Sequence, residues 1–459
     1  MNGRILWIEL RRNELLLLFP VVMLLYGFGT WESVLNLSVV FWVENSVEAR
    51  NSVALLGPFA GVVAAWMTGR DRRRGLDDLI ATTPRPALSR DLTVWAATAL
   101  LGIAAYAVVA AVILGRTALR ASWDGPYLSI LVPGFCTIVA MAAIGYPIGR
   151  ILPRRVTAIL VGAGSIILIA LPITVWDSWL GYLSPAFAAD TPLSAWWGVQ
   201  PNIALAQSIF LLGVACLGLA GIAAVSRARR VALPVLLVAI VTAAVGIGTI
   251  RSGVHAAGEP EIAAYDPACA GDAVMVCVHP AFEGVLDDLV AGTEVIIAPF
   301  VGLEGVPTRL DQQAPRPPDD SGGVFSDVMS GEVDGAILAG PGFSIEDPVD
   351  VGAVFVALNQ ITAQILGPPP MPDGQDTAAW EARLVIRLGL LQAAGYDLTC
   401  NGDEMVESGL LSSSSLAYHG VSCSAFERFV ALNPATRNEW LRQNYEAIRA
   451  GEITLEDLP

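Results

Sequence analysis

The chain has 459 residues, 54% of them hydrophobic and only 15% charged, with a mean hydropathy of +0.58. Soluble domains are about one-quarter charged and disordered chains are poor in apolar residues, so neither description fits the whole chain. The net charge of −16 joins two unlike parts: residues 1–250 hold 18 Arg against 12 acids, and residues 251–459 hold 9 Arg against 31 acids, an acidity that argues against nucleic-acid binding because phosphate contacts need clustered basic groups.

A membrane crossing needs about 20 apolar residues, and charge-free intervals mark seven. They run between Glu14 and Glu32, Arg50 and Arg70, Asp91 and Arg116, Asp124 and Arg150, Arg155 and Asp177, Asp190 and Arg227, and Arg230 and Arg251. The sixth interval is too long for one span and reads as a loop followed by a helix over 204–225. Ser33–Val43 is apolar but too short to cross, which suggests an interfacial segment. No small-residue cleavage site follows the first apolar run, Leu15–Phe28, so it reads as a span rather than a signal peptide.

Arg is enriched in short cytoplasmic loops. With the N-terminus inside, fifteen Arg lie on inner segments, and only Arg50, Arg116 and Arg120 lie outside. Seven spans then put the C-terminal part outside the cytoplasm. No ionisable group is expected inside any span core, which weighs against a proton- or sodium-driven carrier. The polar span residues Tyr106, Tyr146, Thr174, Asn202 and Gln207 read as helix-packing or interfacial groups, and Pro58, Pro133, Pro147 and Pro172 as sites of kinks. Gly145 and Gly149 form a small-xxx-small pair suited to a close helix contact.

The loop after the second span reads GRDRRRGLDDLIATTPRPALSRD from Gly69 to Asp91. Leu76, Leu79 and Ile80 would share one face of a short helix. Asp77 and Asp78 suit its N-terminus, and Pro84 and Pro86 would end it. Taken alone, this is a basic loop that obeys the inside bias. It also resembles the intracellular loop of ABC transporter permeases of the type-2 exporter class. In that class a basic stretch, a Gly, an acidic-Leu pattern, an Ala-Thr-Thr-Pro-like turn and Ser-Arg lead into the third helix. Arg74, Gly75, Leu76, Asp78, Leu79, Ala81, Thr82, Pro84, Ser89 and Arg90 stand here in that order. The start, Leu6–Asn13, resembles the amphipathic N-terminal helix of the same class, and Trp176–Asn202 resembles its re-entrant outer helices.

The resemblance covers residues 1–230. It implies two permease chains, as a homo- or heterodimer around a shared pathway, with a separate ABC ATPase below that supplies ATP and Mg. Docking would use Glu9, Arg11, Arg12, Arg72, Arg73, Arg74, Gly75, Leu76, Asp78, Leu79, Ile80, Thr82, Pro84 and Arg90. The chain has no Lys and so cannot carry the Lys-containing phosphate loop of ATPases. No nucleotide-binding or catalytic motif is expected of it, and no cofactor of its own. It departs from the class in its seventh span and outer domain, since family members commonly have six spans and a cytoplasmic C-terminus.

In the outer part, Ala273–Val278 reads as a strand. Phe282–Val301 has near-helical spacing interrupted around Gly292. Val324–Ser330 and Gly335–Ala339 suggest a helix start and a short strand. Val349–Leu366, Trp380–Ala394, Ala425–Leu432 and Thr436–Ala450 look helical, while Gln313–Gly323, Gly367–Pro372 and Ser412–Ser415 read as loops. Cys269, Cys277, Cys400 and Cys423 lie here, and an even count outside the cytoplasm predicts disulfides. Neighbours along the chain favour Cys269–Cys277 and Cys400–Cys423. Cys136 and Cys216 read as inert packing groups within spans. Neither Cys nor His has zinc spacing. Leu358–Gly367 has the rhythm of a gluzincin helix, but Asn359, Gln360 and Ala363 replace the ligands and base, leaving an ordinary core helix.

The fold expected is thus a polytopic α-helical membrane protein with about seven transmembrane helices over 1–250, in the cell membrane, plus an extracytoplasmic α+β domain over 251–459. The function expected is an exporter permease without its own ATPase. Alternatives are a membrane-anchored sensor or immunity protein with an outer ligand-binding domain, and a polytopic membrane enzyme.

Overall fold

The computed structural model describes residues 3–13, 41–73, 86–174, 179–187, 201–256, 266–312, 353–367, 377–401 and 422–459, with short pieces between them. These fall in two compact units, a helical one up to Ala256 and a mixed one from Asp266 onward.

The helical unit opens with α1 (Gly3–Arg11). Then come α2 (Trp42–Asn51) and α3 (Val53–Arg73), joined end to end at Ser52, followed by α4 (Ala87–Ala118), α5 (Leu128–Ile151), α6 (Arg155–Ile173), α7 (Pro201–Val225) and α8 (Arg229–Ala256). Six helical stretches among the described residues are long and apolar enough to cross a membrane. They correspond to the second through seventh predicted spans. The first predicted span and Ser33–Val40 lie largely outside the described residues. The unit's outward face agrees with a bilayer: Ile159, Leu160, Ile166, Ile167 and Leu168 on α6, and Leu233, Leu237 and Val241 on α8, are all well exposed. In water such contiguous apolar faces would be unstable. In lipid they are the expected outer surface, because helices satisfy their own backbone groups.

Helix α5 is central and packs against α2, α3, α4, α6 and α7. Small residues permit the closest approaches. A side chain at Gly145 or Gly149 would collide with the backbone of Gly61 or Ala65 on α3, and one at Gly218 would meet Ala143 across the α5–α7 contact. The predicted small-xxx-small pair therefore sits at a real helix contact. Pro58, Pro133, Pro147 and Pro172 all lie inside helices.

Two expectations are corrected. The helical stretch that holds the second span begins well before Arg50, at Trp42, and runs to Arg70, and Arg50 is fully buried within it rather than on an outer loop. Buried charge is also present, since Arg50 and Asp91 are both inaccessible. The reason is packing. Both side chains find hydrogen-bond partners on distant helices, which a sequence cannot display.

In the second unit, β1 (Ala268–Ala270) pairs antiparallel with β2 (Met275–Val278). After α9 (Leu286–Ile297), strand β3 (Arg309–Gln312) returns parallel to β2, and β4 (Gly342–Phe343) lies parallel to β3. Helices α10 (Ala353–Leu366) and α11 (Thr377–Ala393) follow. A small antiparallel sheet comes next, of β5 (Leu398–Asn401), β6 (Glu404–Glu407) and β7 (Tyr418–His419). The chain closes with α12 (Cys423–Ala431), α13 (Pro434–Gln443) and α14 (Tyr445–Ala450). Helix α9 runs through Gly292 without interruption, and Leu358 of α10 packs where a side chain there would stand. The helix expected over 436–450 is two, divided at Asn444.

Leu289, Ile296, Phe300, Phe355, Ile361, Ile386 and Phe429 form the core of this unit. Cys269 faces Cys277 directly across the β1–β2 ladder and is bonded to it. Cys423 is also disulfide-bonded, while the side chain of Cys400 lies outside the described residues. Cys136 and Cys216 are free. The segments expected over 313–339 and 412–415 lie outside the described residues.

Candidate functional site

The helical unit carries one polar node near each end. At one end, α1 lies against α4. Its Glu9 is 3.7 Å from the Arg70 guanidinium at the end of α3. Asn13 Nδ2 donates to Thr98 Oγ1 at 2.9 Å. The exposed face of α1 presents Trp7 and Ile8 beside basic residues, with the Arg11 guanidinium 3.8 Å from the Trp7 ring centre. Arg73 stacks over Trp66 and donates to its carbonyl at 2.8 Å. The chain then leaves α3 through Gly75, whose φ of +67° is a left-handed conformation that glycine adopts without a steric penalty.

Asp91, one turn into α4, is 2% exposed. Its Oδ1 accepts from the Tyr146 hydroxyl at 3.0 Å and its Oδ2 from Ser226 Oγ at 2.7 Å, with Arg90 Nε 3.7 Å away. One carboxylate thus joins α4, α5 and the end of α7.

The other node centres on Arg50. Its Nε donates to the Pro185 carbonyl at 2.6 Å, and its Nη2 donates to the Phe187 carbonyl at 2.8 Å and to Gln207 Oε1 at 2.9 Å. Gln207 Nε2 in turn donates to the carbonyls of Tyr182 and Phe187, at 2.9 and 2.8 Å. Arg50 and Gln207 together grip the backbone of the segment after α6, whose Trp179–Leu183 forms a short 3-10 helix. Ser184 Oγ adds a bond to the Ile169 carbonyl of α6. About twenty residues of α-helix separate Arg50 from Arg70, or about 30 Å, the thickness of a hydrocarbon core. The two nodes therefore sit near opposite membrane faces.

Of the predicted docking residues, the structure brings Glu9 together with the end of α3 and positions Arg11, Arg12, Arg73, Gly75 and Arg90 at the same end of the unit. Arg72 lies on α3, with its side chain undescribed. Arg74, Leu76, Asp78, Leu79, Ile80, Thr82 and Pro84 lie outside the described residues. Sequence reasoning missed Arg50 and Asp91 as interior groups. The only available signal was the polar run Glu44–Ser52, which interrupts the hydropathy ahead of the second span.

In the second unit the buried polar groups tie elements together. Arg383 donates to the carbonyls of Ile448 and Arg449 at 2.8 and 2.6 Å, satisfying the end of α14. Burial, reinforced by the Arg449 charge, lowers its pKa. His279 is buried, its Nδ1 accepts from Ala281 N at 3.1 Å, and burial lowers its pKa to about 4. On α10, Asn359 accepts from Arg387 of α11, while Leu358, Ile361 and Ile365 face the core.

No family model, curated protein or solved structure matches this chain.

Proposed function

We propose that this chain is the membrane-spanning permease subunit of an ATP-driven exporter of the type-2 ABC class. The observation that carries this reading is the position of α1, held by the Glu9–Arg70 pair and the Asn13–Thr98 bond at the end of the bundle where the loop after α3 begins. An amphipathic helix and a basic inter-helix loop side by side form a surface on which a cytoplasmic ATPase would push. Two permease chains enclose the pathway, and a separate ATPase binds and hydrolyses ATP. Closure of the ATPase on ATP moves α1 and the loop as levers.

The N-terminus lies in the cytoplasm and the C-terminal domain outside the cell membrane, in keeping with the fifteen-to-three distribution of Arg. Exposed ion pairs are worth only about 0–1 kcal/mol each, so docking rests mainly on Leu76, Leu79 and Ile80.

The test is co-expression with the ABC ATPase of a neighbouring reading frame. The two should co-purify, and the permease should stimulate ATP hydrolysis. Leu79→Asp should abolish ATP-driven transport while leaving membrane insertion intact. A chain that never retains an ATPase, or a Leu79→Asp variant that transports normally, would remove the reading in favour of a membrane-anchored sensor or a membrane enzyme.

A further inference from the structure

The Arg50 node has more donors than acceptors. A guanidinium carries five N–H groups and cannot be deprotonated in a protein. Nε and Nη2 are used on Pro185, Phe187 and Gln207, all uncharged acceptors. Nη1 is shut off from solvent and has no hydrogen-bond partner. No ion pair to Arg50 exists among the described residues. Glu48, two residues back on a different helix face, instead accepts the Tyr26 hydroxyl at 2.8 Å.

A fully buried cation without a counter-charge is costly, and ionisable groups at membrane depth mark functional sites. The missing partner is therefore an anion. Its surroundings are apolar: Tyr182, Phe187, Ile203, Ala206 and Ile250 pack together beside Gln207.

We propose that Arg50 is the anion-binding group of the pathway, and that its ligand is an amphiphile with an oxyanion headgroup and an apolar chain. The headgroup displaces the Phe187 carbonyl from Nη2. Its oxygens engage Nη1 together with Nη2 in the bidentate geometry that suits carboxylates and phosphates. The apolar chain lies along the Tyr182–Ile203–Ile250 cluster. Because the displaced carbonyl belongs to the segment after α6, binding loosens that segment. The Pro185 carbonyl on Nε, Gln207 and the Ser184–Ile169 bond still hold it, so the ligand loosens this end of the unit without releasing it.

The inference rests on the exporter reading for its word "pathway", yet binding is measurable on the permease alone. The full chain in phosphatidylcholine nanodiscs is titrated with hexadecyl phosphate, with uncharged hexadecyl maltoside and with inorganic phosphate. Hexadecyl phosphate should bind at least about tenfold more tightly than either control, as expected for a hydrogen bond to a charged group. Arg50→Gln should remove that preference and leave maltoside binding unchanged. Arg50→Lys keeps the charge but loses the fork, and should retain part of the preference; it serves if Arg50→Gln does not fold. Gln207→Met removes a competing acceptor and should strengthen hexadecyl phosphate binding.

Equal binding of hexadecyl phosphate and the maltoside, or a preference that survives Arg50→Gln, would overturn the proposal. Inorganic phosphate that binds as tightly as its alkyl ester would remove the amphiphile. Failure of ATPase stimulation would instead overturn the exporter reading and leave these titrations unaffected.

Discussion

Asp91 shows how one side chain fixes three helices. Its two oxygens take hydroxyls from Tyr146 and Ser226; Ser226 also has the Ile222 carbonyl within reach, so the loss of Asp91 strands the buried Tyr146 hydroxyl. Each stranded group costs about 1–3 kcal/mol. Asp91→Leu should therefore lower stability by about 1–3 kcal/mol. Asp91→Asn, which keeps one acceptor, should cost about half as much. Thermal unfolding in detergent, followed by size-exclusion chromatography, measures both, and equal melting of the two variants would mean that the hydroxyls find other partners. His279 contributes a pH dependence of defined sign. Burial holds its pKa at about 4 in the folded chain, against about 6.5 unfolded. Above about pH 6.5 the residue is neutral in both states, and its contribution to stability is fully present. As pH falls from about 6.5 to about 4 the unfolded chain gains the proton first, and up to about 3 kcal/mol is lost. His279→Asn does not titrate in this range, so the stability gap between wild type and variant should shift steadily over that window in acid titrations of the unfolding midpoint. A gap that stays constant across the window would show that His279 is not held neutral. Neither role was legible in sequence. Asp91 sits at what looks like a water boundary, and its partners lie 55 and 135 residues away.

At the scale of elements, the contact between α3 and α5 depends on Gly145 and Gly149 meeting the backbone of Gly61 and Ala65. Gly149→Leu must push the helices apart, at a cost on the order of 1–3 kcal/mol for overpacking. The same change at Gly164, which has open space, should leave stability within about 0.5 kcal/mol. Comparable melting of the two variants would argue against the close approach. The hairpin of β1 and β2 has a covalent counterpart, the Cys269–Cys277 bond across a separation of 8 residues. Closing so short a loop restricts the unfolded chain by about 2–3 kcal/mol, and the Cys269→Ser, Cys277→Ser double variant should lose that much in denaturant unfolding of this unit. The apolar helices were legible because lipid demands uninterrupted apolar length, and charge-free intervals report it. The strands were mostly not. Pieces of two to four residues such as β4 and β7 carry no alternation to read and exist because neighbours pair with them. The start of the second span was hidden for the opposite reason. Glu44, Asn45, Ser46, Glu48 and Arg50 look like a loop, yet they form a helix in which Asn45 donates to the Phe41 carbonyl, Ser46 accepts from Tyr127 N, Glu48 accepts from Tyr26, and Arg50 is taken up by Gln207 and the segment after α6.

For the molecule as a whole, every functional reading depends on which end of the bundle faces the cytoplasm. The chain supplies its own means of testing this. It contains no Lys, so an impermeant amine-reactive reagent added to sealed cells can meet only the N-terminal amine and any Lys introduced deliberately. Three conservative changes sample three levels. Arg120→Lys lies between α4 and α5, Arg154→Lys between α5 and α6, and Arg309→Lys on the exposed start of β3. Arg120 and Arg154 flank the two ends of α5, whose 24 residues span about 36 Å, so no single membrane face exposes both. With the N-terminus inside, Arg120→Lys and Arg309→Lys should label in intact cells, and Arg154→Lys only after the cells are broken. The opposite pattern would put α1, Arg70 and the basic loop outside, where no ATPase could reach them. Labelling of Arg120→Lys without Arg309→Lys would leave the loop inside but return the acidic unit to the cytoplasm, which requires that one of the four helices α5 to α8 does not cross. The Arg50 node would keep its depth in each arrangement, because its partners are fixed within the bundle, but only the arrangements that leave the loop inside put it at the outer face, where the headgroup of an exported amphiphile would leave the pathway.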